Sequence, residues 1–148
     1  MRALIQRVNG ANVRLPGGEE RKIDAGLLIY LGIGKADTEG SAKRLADKIL
    51  NLRVFSNAAG KFDHSLLERR GQALVISQFT LYANAKGGRR PDFALAAPPD
   101  VARGLYDRFV DLVRSSGIDV KTGEFAAHMI VESANDGPVT IWLDTETF

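Results

Sequence analysis

Cysteine is absent from this chain of 148 residues, and histidine occurs only twice, as His64 and His128. The first absence excludes a disulfide scaffold, a thiolate nucleophile and a Cys-based zinc site. The second leaves metal ligation by histidine poorly supplied, so neither a metal nor a cofactor is expected. Long hydrophobic runs are also missing. The longest, Leu27–Ile33 between Gly26 and Gly34, falls far short of the roughly 20 residues that a membrane-spanning helix needs. Gln6 and Arg7 end the apolar stretch of the first residues, which excludes a secretory h-region. A soluble cytoplasmic protein with no membrane partner is the resulting expectation, and a disulfide-free chain suits a reducing compartment. No GxGxxG follows a strand, and no GxxxxGK[ST], HExxH or GxSxG occurs.

What is present is a globular composition, 45% apolar and 26% charged, with a net charge of +2. A chain of this size buries about two thirds of its unfolded surface, enough for one core. A single domain over 1–148 follows, because the Ala-, Gly- and Pro-rich stretch from Asn84 to Pro99 is followed by too little chain for an independent domain. That stretch reads as a functional loop. The charge is locally concentrated only at Arg69-Arg70 and in Lys86-Gly87-Gly88-Arg89-Arg90. Such clusters are either solvated loop charge or contacts for an anionic partner.

The patterning predicts Ala3–Leu15 as a strand pair or one long bent strand, then strands at Lys22–Asp24 and Leu27–Ile33. Asp37 or Thr38 caps a helix carrying Ala42, Leu45, Ala46, Ile49 and Leu52. Arg53–Phe55 reads as a short strand, Asn57–Gly60 as a turn, and Lys61–Leu67 is ambiguous. Ala73–Leu81 is the strongest strand pattern. Pro99 opens a second helix with Val101, Leu105, Phe109, Leu112 and Val113 inward, and Gly117 suits its C-terminal cap. Val120, His128–Ser133 and Val139–Leu143 read as closing strands. These elements do not alternate regularly. The expected fold is therefore α/β with a mixed sheet and two main helices packed on it, not a doubly wound one.

Two polar segments stand out. Ser77-Gln78-Phe79-Thr80-Leu81 interrupts an apolar strand with hydroxyl and amide groups. If the strand stays regular, Gln78 and Thr80 share one face. These side chains either satisfy neighbouring backbone groups or line a pocket of hydroxyl, amide and main-chain N–H donors. Asn135-Asp136-Gly137-Pro138-Val139-Thr140 contains a Gly-Pro step, which is either an ordinary turn or, with a cis bond, a rigid pair of carbonyls free of side chains. Neither histidine has a local setting that recommends it as a base.

Taken together and in this order, the two segments resemble the signatures of the D-aminoacyl-tRNA deacylase family (D-tyrosyl-tRNA deacylases). Ala3-Leu4-Ile5-Gln6-Arg7-Val8 is similar to that family's opening. Lys86–Phe93 and Thr122–Met129 also match in character, and the resemblance runs the length of the chain. His128 and Ser133 are unusual for their positions. The resemblance implies a deacylase-type fold and hydrolysis of the ester joining a D-amino acid to the terminal adenosine of tRNA, with action on glycyl-tRNA as well. It implies a homodimer with active sites at the subunit interface, where Gly137-Pro138 of one subunit enters the pocket of the other and sterically rejects L-amino acids. By the same resemblance Arg7 holds that pair in place, and Phe125 and Met129 pack against the adenine. Ser77, Gln78, Phe79 and Thr80 form the catalytic segment.

The chemistry fits these expectations. Backbone that blocks an L side chain tolerates many D side chains and fails to exclude glycine. Main-chain N–H groups near Phe79 and Thr80 would stabilise an oxyanion. With no side-chain base at hand, the resemblance assigns assistance of the water to the ribose 2′-hydroxyl. Thr80 is then a nucleophile or a positioning group, with positioning favoured. Lys86, Arg89 and Arg90 are the candidate tRNA contacts. Two other readings stand beside this one: a non-catalytic tRNA-binding module, and a hydrolase of small esters that uses Thr80 as nucleophile.

Overall fold

The apolar positions at Ala3 and Ile5 and those at Ala11 and Val13 point to different cores, although all lie on one strand, β1 (Arg2–Arg14). The computed structural model, which describes Met1–Phe148 throughout, shows why. In the antiparallel pairing of β1 with β8 (Ile130–Asp144), Val8 faces Asn135 and Gly10 faces Ala134, so Asn9 has no opposite residue. A bulge of this kind reverses side-chain parity along a strand. Met1, Ala3 and Ile5 therefore join the larger core, and Val8, Ala11, Val13 and Leu15 the smaller. The long bent strand, rather than the strand pair, is the correct alternative.

On its other edge β1 pairs antiparallel with β2 (Glu20–Ile23) and β3 (Gly26–Gly32). Parallel to β3 runs β6 (Gln72–Ser77), and parallel to β6 runs β7 (Asp119–Thr122). The six strands form one mixed sheet, and β4 (Phe55–Ser56) pairs with β5 (Phe62–His64) in a separate ribbon. The ambiguous segment is thus β5 followed by a single helical turn, α2 (Leu66–Arg69), which starts on a Ser65–Glu68 capping box.

Helix α1 (Glu39–Asn51) is capped by Thr38, whose hydroxyl accepts from the Ser41 N–H while the Ser41 hydroxyl accepts from the Thr38 N–H. It packs with α3 (Pro99–Ser115) over the face carrying Ile5, Ile29 and Val75. Gly117, at φ +88°, follows the end of α3 as expected. The inward face of α3 is rotated from the expected one. Ala102, Tyr106, Phe109, Val110 and Val113 are buried, Leu105 and Leu112 are half-buried, and Val101 is 49% exposed. In the first turn Pro99 and Ala102 border a cleft, Ala102 belonging to the larger core as well, and Val101 faces away from both. Of the two sequence segments, Ile130–Ser133 and Val139–Leu143 are parts of one strand, β8, with the Gly-Pro step bulging from its middle, while His128 and Met129 precede the strand.

Among the glycines, the least room for a side chain is at Gly26, where β3 meets β6. A Cβ on Gly26 would lie 1.9 Å from the Gln72 carbonyl oxygen. Gly26→Ala must part these strands, and the expected loss is about 3 kcal/mol or more, as in severe overpacking. Urea unfolding measures it; a midpoint equal to wild type would show that the strands relax freely.

Candidate active site

Strand β6 ends sooner than its apolar pattern predicts. The Gln78 N–H still donates to the Leu31 carbonyl at 2.7 Å, but β3 stops at Gly32 and offers no further partner. The chain then turns, and Phe79–Tyr82 forms a short 3₁₀ helix rather than strand. Gln78 and Thr80 do not share a strand face. Instead the Gln78 amide Nε2 donates to the Thr80 hydroxyl at 2.5 Å. No side chain caps the turn. Its first N–H groups, those of Phe79 and Thr80, lack partners within it for the reason that holds at any helix start. Phe79 is 57% exposed, and its ring meets Phe93 edge-on at 4.9 Å.

The far end of this turn is firmly held. A Cβ on Gly34 would sit 2.6 Å from the Tyr82 ring, so the ring lies directly on that glycine. The Arg2 guanidinium stacks on the ring at 4.3 Å and donates to the Leu81 carbonyl at 3.1 Å. The Tyr82 hydroxyl donates to Asp37 at 3.1 Å, and the same carboxylate oxygen accepts from the Gly34 N–H at 2.7 Å. Burial and the Asp37 carboxylate push the Tyr82 phenol above its usual range, so it remains a donor. Arg2 is itself fixed by Asp144 at 2.8 Å. Burial opposes ionisation of Asp144, but the Glu146 N–H and the Arg2 guanidinium outweigh it and hold the carboxyl below its usual range.

Beside the turn opens a cleft of about 670 Å³. The structure brings Ser77, Gln78 and Phe79 together there with Phe125 and Met129. Phe125 packs against Tyr106 at 5.8 Å under the Arg103 guanidinium at 4.8 Å. Met129 folds back over Gly123, where a Cβ would meet its sulfur at 2.7 Å. His128 lies on the rim of the cleft, while His64 is remote on β5. Lys35, Phe93 and the Ala96–Pro99 strip also line it. Sequence reading missed these individually. Reading Asn84–Pro99 as a functional loop is the signal that covered Phe93 and Ala96–Pro99, and nothing in the sequence marked Lys35.

Arg7, Gly137 and Pro138 lie outside this cleft but beside one another. Gln6 faces Thr140 and Val8 faces Asn135, so four residues of β8, 136–139, stand opposite Arg7 alone. This loop out of the strand contains the Gly137-Pro138 step, whose peptide bond is cis. Arg7, only 9% exposed, fills the gap. Its guanidinium contacts the Asp136 carboxylate at 2.9 Å and donates to the Asp136 carbonyl at 3.3 Å and the Val54 carbonyl at 2.7 Å. The Asn135 amide completes the bulge, accepting from the Val139 N–H at 3.0 Å and donating to Thr140 Oγ1 at 2.9 Å.

Lys86, Arg89 and Arg90 project from an exposed hairpin closed by paired hydrogen bonds of 2.9 Å between Asn84 and Asp92. They do not reach the cleft lining. No three His, Asp or Glu side chains converge as metal ligands would. No helix is long and apolar enough to cross a membrane.

The fold is of α/β architecture and presents main-chain donors at the end of a parallel strand, and the family it matches is one of deacylases, a class of hydrolase. The model for D-Tyr-tRNA(Tyr) deacylase matches residues 4–144. The chain is 49% identical over 146 residues to the D-aminoacyl-tRNA deacylase of Thermosipho africanus, covering 99% of this chain and 98% of the relative. It is 51% identical over 148 residues to that of Roseiflexus castenholzii, covering 100% and 94%. Among solved structures it is similar to a c-Myc DNA unwinding element binding protein, with TM-score 0.90 and 40% identity over 97% of this chain and 98% of the other. A probable eukaryotic D-amino acid tRNA deacylase shares the fold, with TM-score 0.87 at 18% identity over 96% and 97% of the two chains. The chain belongs to the D-Tyr-tRNA(Tyr) deacylase family.

Two outcomes follow from the clamp on the 3₁₀ turn. Tyr82→Phe keeps the ring on Gly34 and removes one hydrogen bond to a carboxylate, an expected cost of about 1.5 kcal/mol in urea unfolding. An unchanged midpoint would show that the hydroxyl holds nothing. Because the native Asp144 carboxyl titrates below its unfolded value of about 4, its contribution is complete above that pH and is lost as pH falls through the native value. Asp144→Asn should therefore narrow its stability deficit against wild type in acid, measured as the difference in unfolding midpoint between pH 7 and pH 3.

Proposed function

We propose that the protein hydrolyses the ester of D-aminoacyl-tRNA, releasing the D-amino acid, and rejects L-aminoacyl substrates by means of Gly137-Pro138. The observation that carries this reading is the juxtaposition of the uncapped turn that begins at Phe79 with an apolar cleft that Phe79 lines together with Phe125 and Met129. In the proposed reaction the adenine lies against Phe125 and Met129, and the ester carbonyl faces the turn. Water adds to the carbonyl carbon, and the N–H groups of Phe79 and Thr80 receive the oxyanion. A donor of this kind is worth about 3–4 kcal/mol when lost. The C–O bond to the ribose then breaks, leaving the carboxylate and the ribose hydroxyl. The ribose 2′-hydroxyl assists the water in this scheme; no carboxylate lines the cleft, and its one histidine, His128, is assigned no part as a base.

Thr80 is a positioning group in this scheme. Its hydroxyl oxygen accepts from an amide rather than facing a base, which speaks against activation as a nucleophile. Ser77 and Gln78 shape the same wall. Enzyme action on glycyl-tRNA follows from the selection scheme, since glycine has no side chain for rigid backbone to reject.

Gly137-Pro138 does not line the cleft of its own chain. This supports a homodimer in which each subunit's Gly137-Pro138 enters the other's cleft, an arrangement that is reciprocal under two-fold symmetry. The outer edge of β8 has no partner strand, and Ile130 and Trp142 on it are 49% and 47% exposed. Such an edge with apolar side chains suits an interface. Lys86, Arg89 and Arg90 supply tRNA phosphate contacts, and the proposed setting is the cytoplasm.

Matched D- and L-tyrosyl-tRNA test the central reading: rapid release of D-tyrosine and little of L-tyrosine is expected, and equal rates would refute stereoselection. A protein that binds tRNA and cleaves neither would be the binding module instead. Arg7→Met should destabilise the fold by about 1–3 kcal/mol through its orphaned acceptors. It should also lower the D-to-L rate ratio by loosening the 136–139 bulge. A dimeric, folded variant with an unaltered ratio would separate that bulge from selectivity. Combined Lys86→Ala, Arg89→Ala and Arg90→Ala should weaken tRNA binding and flatten its salt dependence by about one unit of slope for each phosphate no longer neutralised. His64→Ala and His128→Ala should each keep most single-turnover activity; a thousandfold loss in either would restore a His-dependent mechanism.

A further inference from the structure

Lys35 is the one cation among the residues that line the cleft, and no carboxylate lines it. The side chain takes part in none of the protein's ion pairs. Its backbone, by contrast, is held on both sides. The Lys35 N–H donates to the Leu95 carbonyl at 3.0 Å, and the Ala97 N–H donates to the Ile33 carbonyl at 3.0 Å. The preceding Gly34 N–H is tied to Asp37 at 2.7 Å. An unpaired ammonium on a fixed base, at the edge of a mainly apolar cleft, is a receptor for an anionic group.

We infer that Lys35 binds a backbone phosphate at the acceptor end of the tRNA, on the nucleotide side of the cleft. This rests on the deacylase reading above and adds a ligand contact to it. The direction follows from charge. The aminoacyl group carries its own ammonium, which Lys35 would repel, whereas the nucleotide end carries phosphodiesters. Lys86, Arg89 and Arg90 are outside the cleft lining and serve a different stretch of the backbone. Their contribution and that of Lys35 are therefore independent.

The test compares two substrates with the same ester: D-tyrosyl-tRNA and 3′-O-(D-tyrosyl)adenosine, which has no phosphate. Lys35→Met should raise KM for the tRNA about tenfold or more, as expected for loss of a charge-assisted bond, and reduce the slope of log affinity against log salt by about one unit. It should leave hydrolysis of the adenosine ester unchanged, and Lys35→Arg should restore most of the tRNA affinity. Equal losses on both substrates would overturn the inference, because Lys35 would then act at the ester or on the fold. No loss on either would overturn it as well, since the ammonium would merely be solvated. If wild type cleaves neither substrate, the deacylase reading itself fails and the role of Lys35 with it.

Discussion

The pairing of β1 with β8 is the constraint from which the rest of the structure follows. The two strands run together from Arg2 opposite Asp144 to Arg14 opposite Ile130, and their register is broken at two neighbouring places. The bulge at Asn9 turns one strand into the wall of two cores. The larger break beside it leaves Arg7 to fill the space across from four residues of β8. A guanidinium can do this because it donates in several directions at once, here to a carboxylate and two carbonyls from separate elements. Without that filler, the Asp136 and Val54 carbonyls would lose donors in a partly dry place, a costly arrangement. The Gly137-Pro138 step is thus displayed by the sheet itself rather than by a free loop.

The second organising feature is the end of the parallel pair β3 and β6. Parallel strands finish at the same edge, so the segments following them converge there. After β3 come Gly34, Lys35 and Asp37; after β6 come Gln78 and the 3₁₀ turn. Glycine at 34 lets the Tyr82 ring lie on the backbone, and Asp37 joins the two segments through Tyr82 and Gly34. Arg2 closes the set from β1 and ties it to Asp144 near the end of β8. The donors of the turn are consequently set by a rigid frame whose members come from four parts of the chain. Preorganised main-chain donors of this sort do not need to reorganise when charge develops.

The two polar segments singled out by sequence lie on different parts of one chain. Ser77–Phe79 is in the cleft with Phe125 and Met129, while Gly137-Pro138 is on the β8 bulge with Arg7. The proposed site assembled from two copies would account for both positions with one symmetry operation and would give a use to the open edge of β8. The apolar character of the cleft suits a base and a ribose. Its single ammonium suits the charge that such a nucleotide carries.

The core and most elements were legible in the sequence because they rest on local patterning. The 3.6-residue spacing in α1, the Thr38 cap, the glycine after α3 and the apolar runs of β3 and β6 each have a cause within a few residues. The signature residues Ser77–Thr80 and Gly137-Pro138 were likewise visible as polar or conformationally special breaks in apolar strands. What local pattern could not decide was where pairing stops. Gln78–Leu81 has strand composition, yet it turns because β3 ends at Gly32 and leaves no hydrogen-bond partner, a fact about another strand. The same holds for the parity switch at Asn9, the single strand through the Gly-Pro step, the outward turn of Val101 and the place of Lys35. Each depends on which segment lies alongside, and only the folded chain supplies that neighbour.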